Sequence, residues 1–338
     1  MISAPSINDH PTILADWLEL EAFSSDDQSA NIFLLRDLKD LTQDAEAEDI
    51  GDFDADTDAI ISRVTDELQQ RARVLDSAYP FRVNEAGTIL TLEGVGNVGA
   101  TAYMFCLLMS HVSNSPLLEK LDLNTEARSG RDLFQICATL SAAGWCGGPS
   151  ISFGWPRSDR SSFVEKLRRV YTEFGDGTPR SEPMPGAPTH IKDGGIDVIA
   201  WRRPNDALPG TLYLLGQVAS GQNWRDKTVV KDIDLFHWVW FEVPPSSMAQ
   251  AAMFVPFCFT DTNDEADESV EQEEIIGRMK IITKRFGVFI YRYRLPRFAL
   301  KAPILAASGV SPIEGLDQFH RVNEWISAFR NRLTGATA

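Results

Sequence analysis

Apolar residues recur at three- and four-residue spacing over 12–23 (TILADWLELEAF) and 29–41, the period of a helix with a buried face. An acidic stretch, 44–58 (DAEAEDIGDFDADTD), interrupts that pattern and is expected to form a loop. Residues 57–78 return to the helical period, with Asp56 or Thr57 as the cap. A short strand is expected over 88–92 and a buried helix over 100–112. From about residue 129 the rhythm changes. A helix over 130–143 stops at Gly144, followed by a strand at 150–153, a helix at 161–174 and a Pro- and Gly-rich loop at 178–188. Then come strand 196–201, turn 204–210, strand 211–218, helix 223–240 and strand 251–257. A second acidic loop (261–274), a helix from about 270 and a strand over 288–294 complete the series. Strands alternating with helices indicate an α/β layer rather than a sandwich. The expected organisation is a mainly helical N-terminal region over 1–125, an α/β domain over 126–305 and a helical segment over 306–338.

Composition narrows the class. The chain has 338 residues, 43% hydrophobic and 24% charged, which is the make-up of a soluble globular protein. Its richest apolar run, 103–109 (YMFCLLM), is far too short to cross a bilayer. The opening MISAPSINDHPTIL lacks a basic region followed by an apolar one, so a cytoplasmic protein with no membrane contact is expected. Cys106, Cys137, Cys146 and Cys258 show no close pairing and are expected to be buried, reduced thiols rather than zinc ligands.

A net charge of −16 argues against a protein that coats nucleic acid with its whole surface. A local basic face is still compatible with it, because 278–301 holds eight Lys or Arg and no acid. Within that run, FGVFIYRYRLPRF (286–298) alternates aromatic and basic residues. As a strand it would place Arg292 and Arg294 on one face, with Arg297 beyond, a row suited to phosphates. An edge strand kept soluble by charge would read the same way.

Three segments carry a more specific signal: GRDLFQICATLSAAGW (130–145), KDGGIDVIAW (192–201) and YLLGQVASG (213–221). Together they resemble the restriction-endonuclease-like PD-(D/E)xK superfamily, in particular the Mrr-like branch of type IV restriction enzymes. The resemblance covers about 129–259, and the N-terminal region has no counterpart in it. It implies a mixed-sheet core flanked by helices and a Mg2+-dependent nuclease acting on DNA. It also implies a homo-oligomer or a subunit of a larger complex, with bacterial anti-phage defence as the setting. Asp197 matches the family's first carboxylate and Gln217 its second ligand. A divalent cation polarises the phosphoryl oxygen and activates water, and Mg2+ wants hard oxygen donors, which explains why such residues sit together. The family lysine falls two positions after the second ligand, where this chain has Ala219. Lys227, expected one turn into a helix opening at Asn223, is the natural substitute, with Lys231 on the same face. Gln135 and Glu165 are further oxygen donors on expected helices.

Other readings stand beside this one. Asp197 could be a hydrogen-bond acceptor at a strand end, and Asp193, beside Gly194 and Gly195, reads as a turn residue. His190 lies close before both aspartates. Ala219 favours a catalytically silent nuclease fold that serves as a scaffold or nucleic-acid-recognition subunit. A weaker alternative is nucleotide binding at Gly94-x-Gly96-x-x-Gly99, which follows a strand and precedes a helix. No second strand ending in an acid follows it, so a glycine-rich turn is the simpler reading.

Overall fold

The computed structural model describes residues 2–42, 50–112, 115–154, 157, 159–182, 184–187, 194–206, 208–227, 229–259 and 272–335. The chain divides into two compact units, one of 1–130, 257–269 and 321–338, the other of 131–256 and 270–320. Expectations that fall on 44–49, 188–193 (His190 and Asp193 among them) and 260–271 lie outside the described residues.

The first unit contains α1 (Pro11–Ser24), β1 (Ser29–Asn31), α2 (Leu34–Thr42), α3 (Ile50–Leu75), β2 (Phe81–Val83), β3 (Ile89–Leu92) and α4 (Val98–His111). Helix α1 starts where Pro11 occupies its first turn and His10 Nδ1 accepts the Thr12 N–H at 3.2 Å. Ten of its residues are buried, including Asp16 and Glu19, as expected of a helix packed on all sides. Two expectations change here. The residues expected to open a helix at Ser29 instead pair with β3 (Ser29↔Thr91, Asn31↔Ile89), so cross-strand pairing overrides the helical period. Helix α3 begins at Ile50, so the second half of the acidic stretch is helical rather than a loop.

The glycine run also resolves. Strand β3 pairs antiparallel with both β1 and β2, and Asn97 Oδ1 caps α4 by accepting the Ala100 N–H at 2.9 Å. A dinucleotide site needs a parallel strand–helix–strand crossover, and β3 has none, so Gly94–Gly99 is a turn that hands the chain to a capped helix.

Three carboxylates and one guanidinium knit this unit together. Arg71, fully buried on α3, reaches Asp16 at 2.6 Å, Glu19 at 3.0 Å and Glu67 at 2.9 Å. Its remaining arm donates to the Thr12 carbonyl at 3.0 Å. Tyr79 and Tyr103 donate to Glu19 at 2.6 and 2.8 Å, and His111 Nε2 meets Asp16 at 2.9 Å. Buried charge survives only when paired and hydrogen-bonded in this way. Trp325, on the C-terminal helix His320–Thr334, packs on Phe105 in the same unit and donates to Ser129 Oγ at 3.1 Å.

Helix α5 (Asn124–Cys146) belongs by its first turns to the first unit and by its remainder to the second. The second unit continues with β4 (Ser150–Ser152), α6 (Phe163–Phe174), β5 (Thr178–Pro179), β6 (Val198–Arg202), β7 (Leu212–Val218), α7 (Ile233–Trp240) and β8 (Phe241–Val243). After these come β9 (Ala249–Phe254), α8 (Gln272–Phe286), β10 (Val288–Ile290), α9 (Leu295–Ala299) and α10 (Ala302–Ala307). Five strands form a mixed sheet in the order β10-β9-β7-β6-β4. Strand β6 lies antiparallel between β4 and β7, whereas β9 runs parallel to β7 and β10 parallel to β9. The protein is therefore a mixed α/β protein. One sheet face carries Ile199, Trp201, Tyr213 and Leu215, which pack against Phe163, Leu167, Phe236 and Trp240 of α6 and α7. Gly144 does not end α5. A Cβ there would stand 1.9 Å from the Phe298 carbonyl oxygen, so the glycine is a notch that lets α9 approach the helix.

Residues 312–314 line the outer edge of β4. Ser150 donates to Pro312 at 2.9 Å, Glu314 donates to Ser150 at 3.0 Å, and the Glu314 carboxylate takes the Ser152 N–H at 3.1 Å. That carboxylate also holds Lys166 at 2.7 Å, whose ammonium is almost wholly buried on α6 and would be costly without it. Asp159 pairs with both Lys166 and Arg169. Partial burial opposes ionisation of Asp159, but hydrogen bonds from Ser161 and Arg169 prevail and hold its carboxyl below the ordinary carboxylate range. A group depressed in this way contributes stability above its unfolded value, about 3.9, and loses it as pH falls through the folded value. Asp159→Asn should therefore lower the melting temperature at neutral pH, with the gap to wild type closing as pH drops below about 4. A gap that ignores pH would refute this account of the clamp.

Candidate functional site

The sheet brings Asp197 and Gln217 together. Asp197 directly precedes β6, and its backbone N–H donates to the Gly216 carbonyl at 2.8 Å. Its own carbonyl accepts three donors, the N–H groups of Phe153 (2.7 Å) and Gly154 (3.0 Å) and the Gln135 side-chain amide (2.6 Å). The side chain is fixed as firmly, because Oδ2 accepts the Val218 N–H at 2.8 Å. The carboxylate thus lies against β7 one residue from Gln217. Oδ1 and Gln135 Oε1 both lie close to Gly154, where an added Cβ would come within 2.8 Å of the one and 3.2 Å of the other. An acid oxygen and an amide oxygen therefore face the same spot.

Gln217 follows Gly216 in β7 and, by strand alternation, shares a face with Tyr213 and Leu215. Its Oε1 is buried and has no hydrogen-bond partner among the described residues. An acceptor left in that state costs free energy, and eight other buried polar atoms among the described residues share it.

Upstream of Asp197, Gly194 and Gly195 both adopt left-handed backbone, at φ 66° and 80°. A side chain would strain either position. The pair turns the chain so that Ile196 is buried and Asp197 is delivered to β7. Asp232, just before α7, flanks this turn, with its Oδ2 3.3 Å from where a Gly195 Cβ would stand. Burial raises its pKa above the ordinary value, with Lys231 opposing, and the side chain makes no capping bond to α7. Nothing in the local sequence singles out Asp232, since it lies 35 positions from Asp197 and its burial is a product of the fold.

The expected lysine helix is absent. A 3-10 turn, Gln222–Asp226, is followed by extended backbone at Lys227 (φ −97°, ψ 138°), and α7 begins only at Ile233. Lys227 and Lys231 therefore do not share a helix face. Lys227 is half-buried, its N–H bonded to the Trp224 carbonyl at 3.1 Å, and its ammonium forms no ion pair among the described residues. The position of the family lysine is filled by Ala219, which is buried beside Phe254 and donates to its carbonyl at 2.9 Å.

Glu165 is committed elsewhere. It accepts the Ser162 N–H at 2.9 Å in a capping box on α6, and those bonds lower its pKa, so it is no ligand for this site. The basic row is corrected as well. Strand β10 ends at Ile290, and Arg294 donates back to Tyr291 at 2.8 Å, so the following residues turn. Arg292 is fully buried, Arg294 donates to the Phe289 carbonyl at 2.9 Å and lies over Tyr291, and Arg297 is exposed on α9. They do not form one phosphate-facing row.

All four cysteines are free and buried, and burial pushes the Cys146 thiol up to about 12. Among the described residues no group of three His, Cys, Asp or Glu side chains is placed to hold a metal, and no helix is long and apolar enough to cross a membrane. Comparisons with protein-family models, with curated proteins and with solved structures find no match for this chain.

Proposed function

We propose that this chain is a metal-dependent phosphodiesterase acting on DNA, built on a restriction-endonuclease-like core. The order α5–β4–β6–β7–α7–β9 supports it: an antiparallel three-strand meander after a helix, then a parallel strand after a second helix. The observation that carries the reading is the set of oxygens around Asp197. Asp197 Oδ1 and Gln135 Oε1 both lie close to Gly154, and Gln217 Oε1 lies unsatisfied on the adjacent strand. One carboxylate and two amide oxygens fit a hard cation such as Mg2+, held loosely because water and phosphate must complete its shell. When bound, such an ion polarises the phosphoryl oxygen and lowers the pKa of the attacking water.

The chain's own residues do the rest. Val218 N–H and Gln135 orient Asp197, the lack of a side chain at Gly154 spares the Asp197 and Gln135 oxygens a clash, and the Gly194–Gly195 turn delivers Asp197 to β7. Lys227 is the cation available to offset charge on the phosphate. A second reading, a silent nuclease fold that recognises nucleic acid, draws on Ala219 being buried where a lysine would be needed.

Nicking of supercoiled plasmid with Mg2+ or Mn2+ separates the two, and the phosphodiesterase reading requires nicking that EDTA abolishes. Gln217→Met adds a prediction. Removing an unsatisfied buried acceptor should raise stability of the metal-free protein by about 1 kcal/mol while nicking falls. Loss of stability in that variant would mean Oε1 is not the orphan described.

A further inference from the structure

Helix α8 is 15 residues long, yet Phe286 is its only buried side chain among those described. Past Glu274 it carries Arg278, Lys280, Lys284 and Arg285 and no acid, on a chain with 48 acidic against 32 basic residues. Arg278 pairs with Glu274 one turn away. Lys280 and Lys284 are exposed and form no ion pair among the described residues.

The C-terminal end of α8 is fastened to the 3-10 turn that follows β7. Arg285 donates to the Arg225 carbonyl at 2.7 Å, and Trp224 packs on both Phe286 and Phe289 with ring centres 5.3 Å apart. Lys284 and Arg285 on the helix are thereby set beside the turn bearing Arg225 and Lys227. That turn begins four residues beyond the end of β7, the strand that holds Gln217. Cations therefore run from this turn onto α8, whereas Arg292 of the same sequence run is buried and Arg294 donates to the Phe289 carbonyl.

We propose that α8 and the turn 222–227 form the docking surface for the sugar-phosphate backbone of a nucleic-acid strand. The inference rests on the phosphodiesterase reading for what happens to that strand. Exposed lysines on an otherwise acidic protein supply point charges for phosphates, and each phosphate neutralised releases counterions. Binding is then steeply salt-dependent.

The test uses the full chain in EDTA, with fluorescein-labelled single-stranded and duplex DNA followed by anisotropy over a salt series. The double variant Lys280→Ala/Lys284→Ala changes only exposed positions. It should bind about ten-fold more weakly and lower the slope of log affinity against log salt by about 2. Unchanged affinity in the lysine variant, with plasmid nicking intact, would overturn the docking surface and leave the phosphodiesterase reading standing. Lysine-dependent binding without nicking would uphold the surface and overturn the catalytic reading. Exposed Ile276 and Ile281 are what a lipid bilayer would engage. Binding to vesicles of equal parts phosphatidylserine and phosphatidylcholine, with none to DNA, would also overturn the proposal.

Discussion

Asp197→Asn is expected to lower plasmid nicking by about a hundred- to a thousand-fold while leaving the fold intact. The substitution is chosen for what it preserves. An asparagine oxygen can still accept the Val218 N–H that Oδ2 accepts at 2.8 Å, and the three bonds to the residue's carbonyl are untouched. What disappears is the negative charge beside Gln135 and Gln217. Gel separation of supercoiled and nicked plasmid reads the loss, and a melting curve matching wild type shows that the loss is chemical. An asparagine variant that nicks as well as wild type would remove Asp197 from the proposed mechanism.

The second large effect concerns stability. Arg71→Met should destabilise the first unit by about 3–5 kcal/mol, because Asp16 and Glu19 would stay buried without the cation that faces both. Urea unfolding followed by tryptophan fluorescence measures it, with Trp17 on α1 as a reporter in that unit. Adding Asp16→Asn and Glu19→Gln to Arg71→Met should recover most of the loss, since removing a whole buried charge set is far cheaper than removing one member. A triple variant no better than the single one would mean that Arg71 acts through packing of its stem.

The strands that carry the candidate site were legible in the sequence because their signals are local. Gly194 and Gly195 take left-handed backbone ahead of β6, and the apolar run 212–215 marks β7, whose burial falls off at Gln217 and Val218. Asp197 and Gln217 were singled out by the family resemblance, and the structure brings them side by side. Lys227 was misplaced for a tertiary reason. The apolar spacing over 223–240 fits a single helix, but Trp224 is drawn to Phe286 and Phe289 while Phe236 and Trp240 join the cluster around Phe163. One helix cannot serve both, so the chain breaks between them.

Arg292 misled in a similar way. Alternating aromatic and basic residues have a strand's period, yet the strand stops at Ile290 and the arginine is buried. The Arg71 network was invisible for the opposite reason. Its partners lie up to 95 positions apart, and acids on α1 read in isolation as a solvated face. Asp232 belongs to the same class, a carboxylate whose partial burial comes from where the fold puts it.

The most direct test of the account is Mn2+ binding followed by electron paramagnetic resonance on the full chain. Wild type should bind the ion weakly but saturably, and Asp197→Asn and Gln217→Met should each weaken that binding by about ten-fold or more. Binding that is absent in wild type, or unaltered in both variants, would contradict the claim that these oxygens form a metal-dependent phosphodiesterase site.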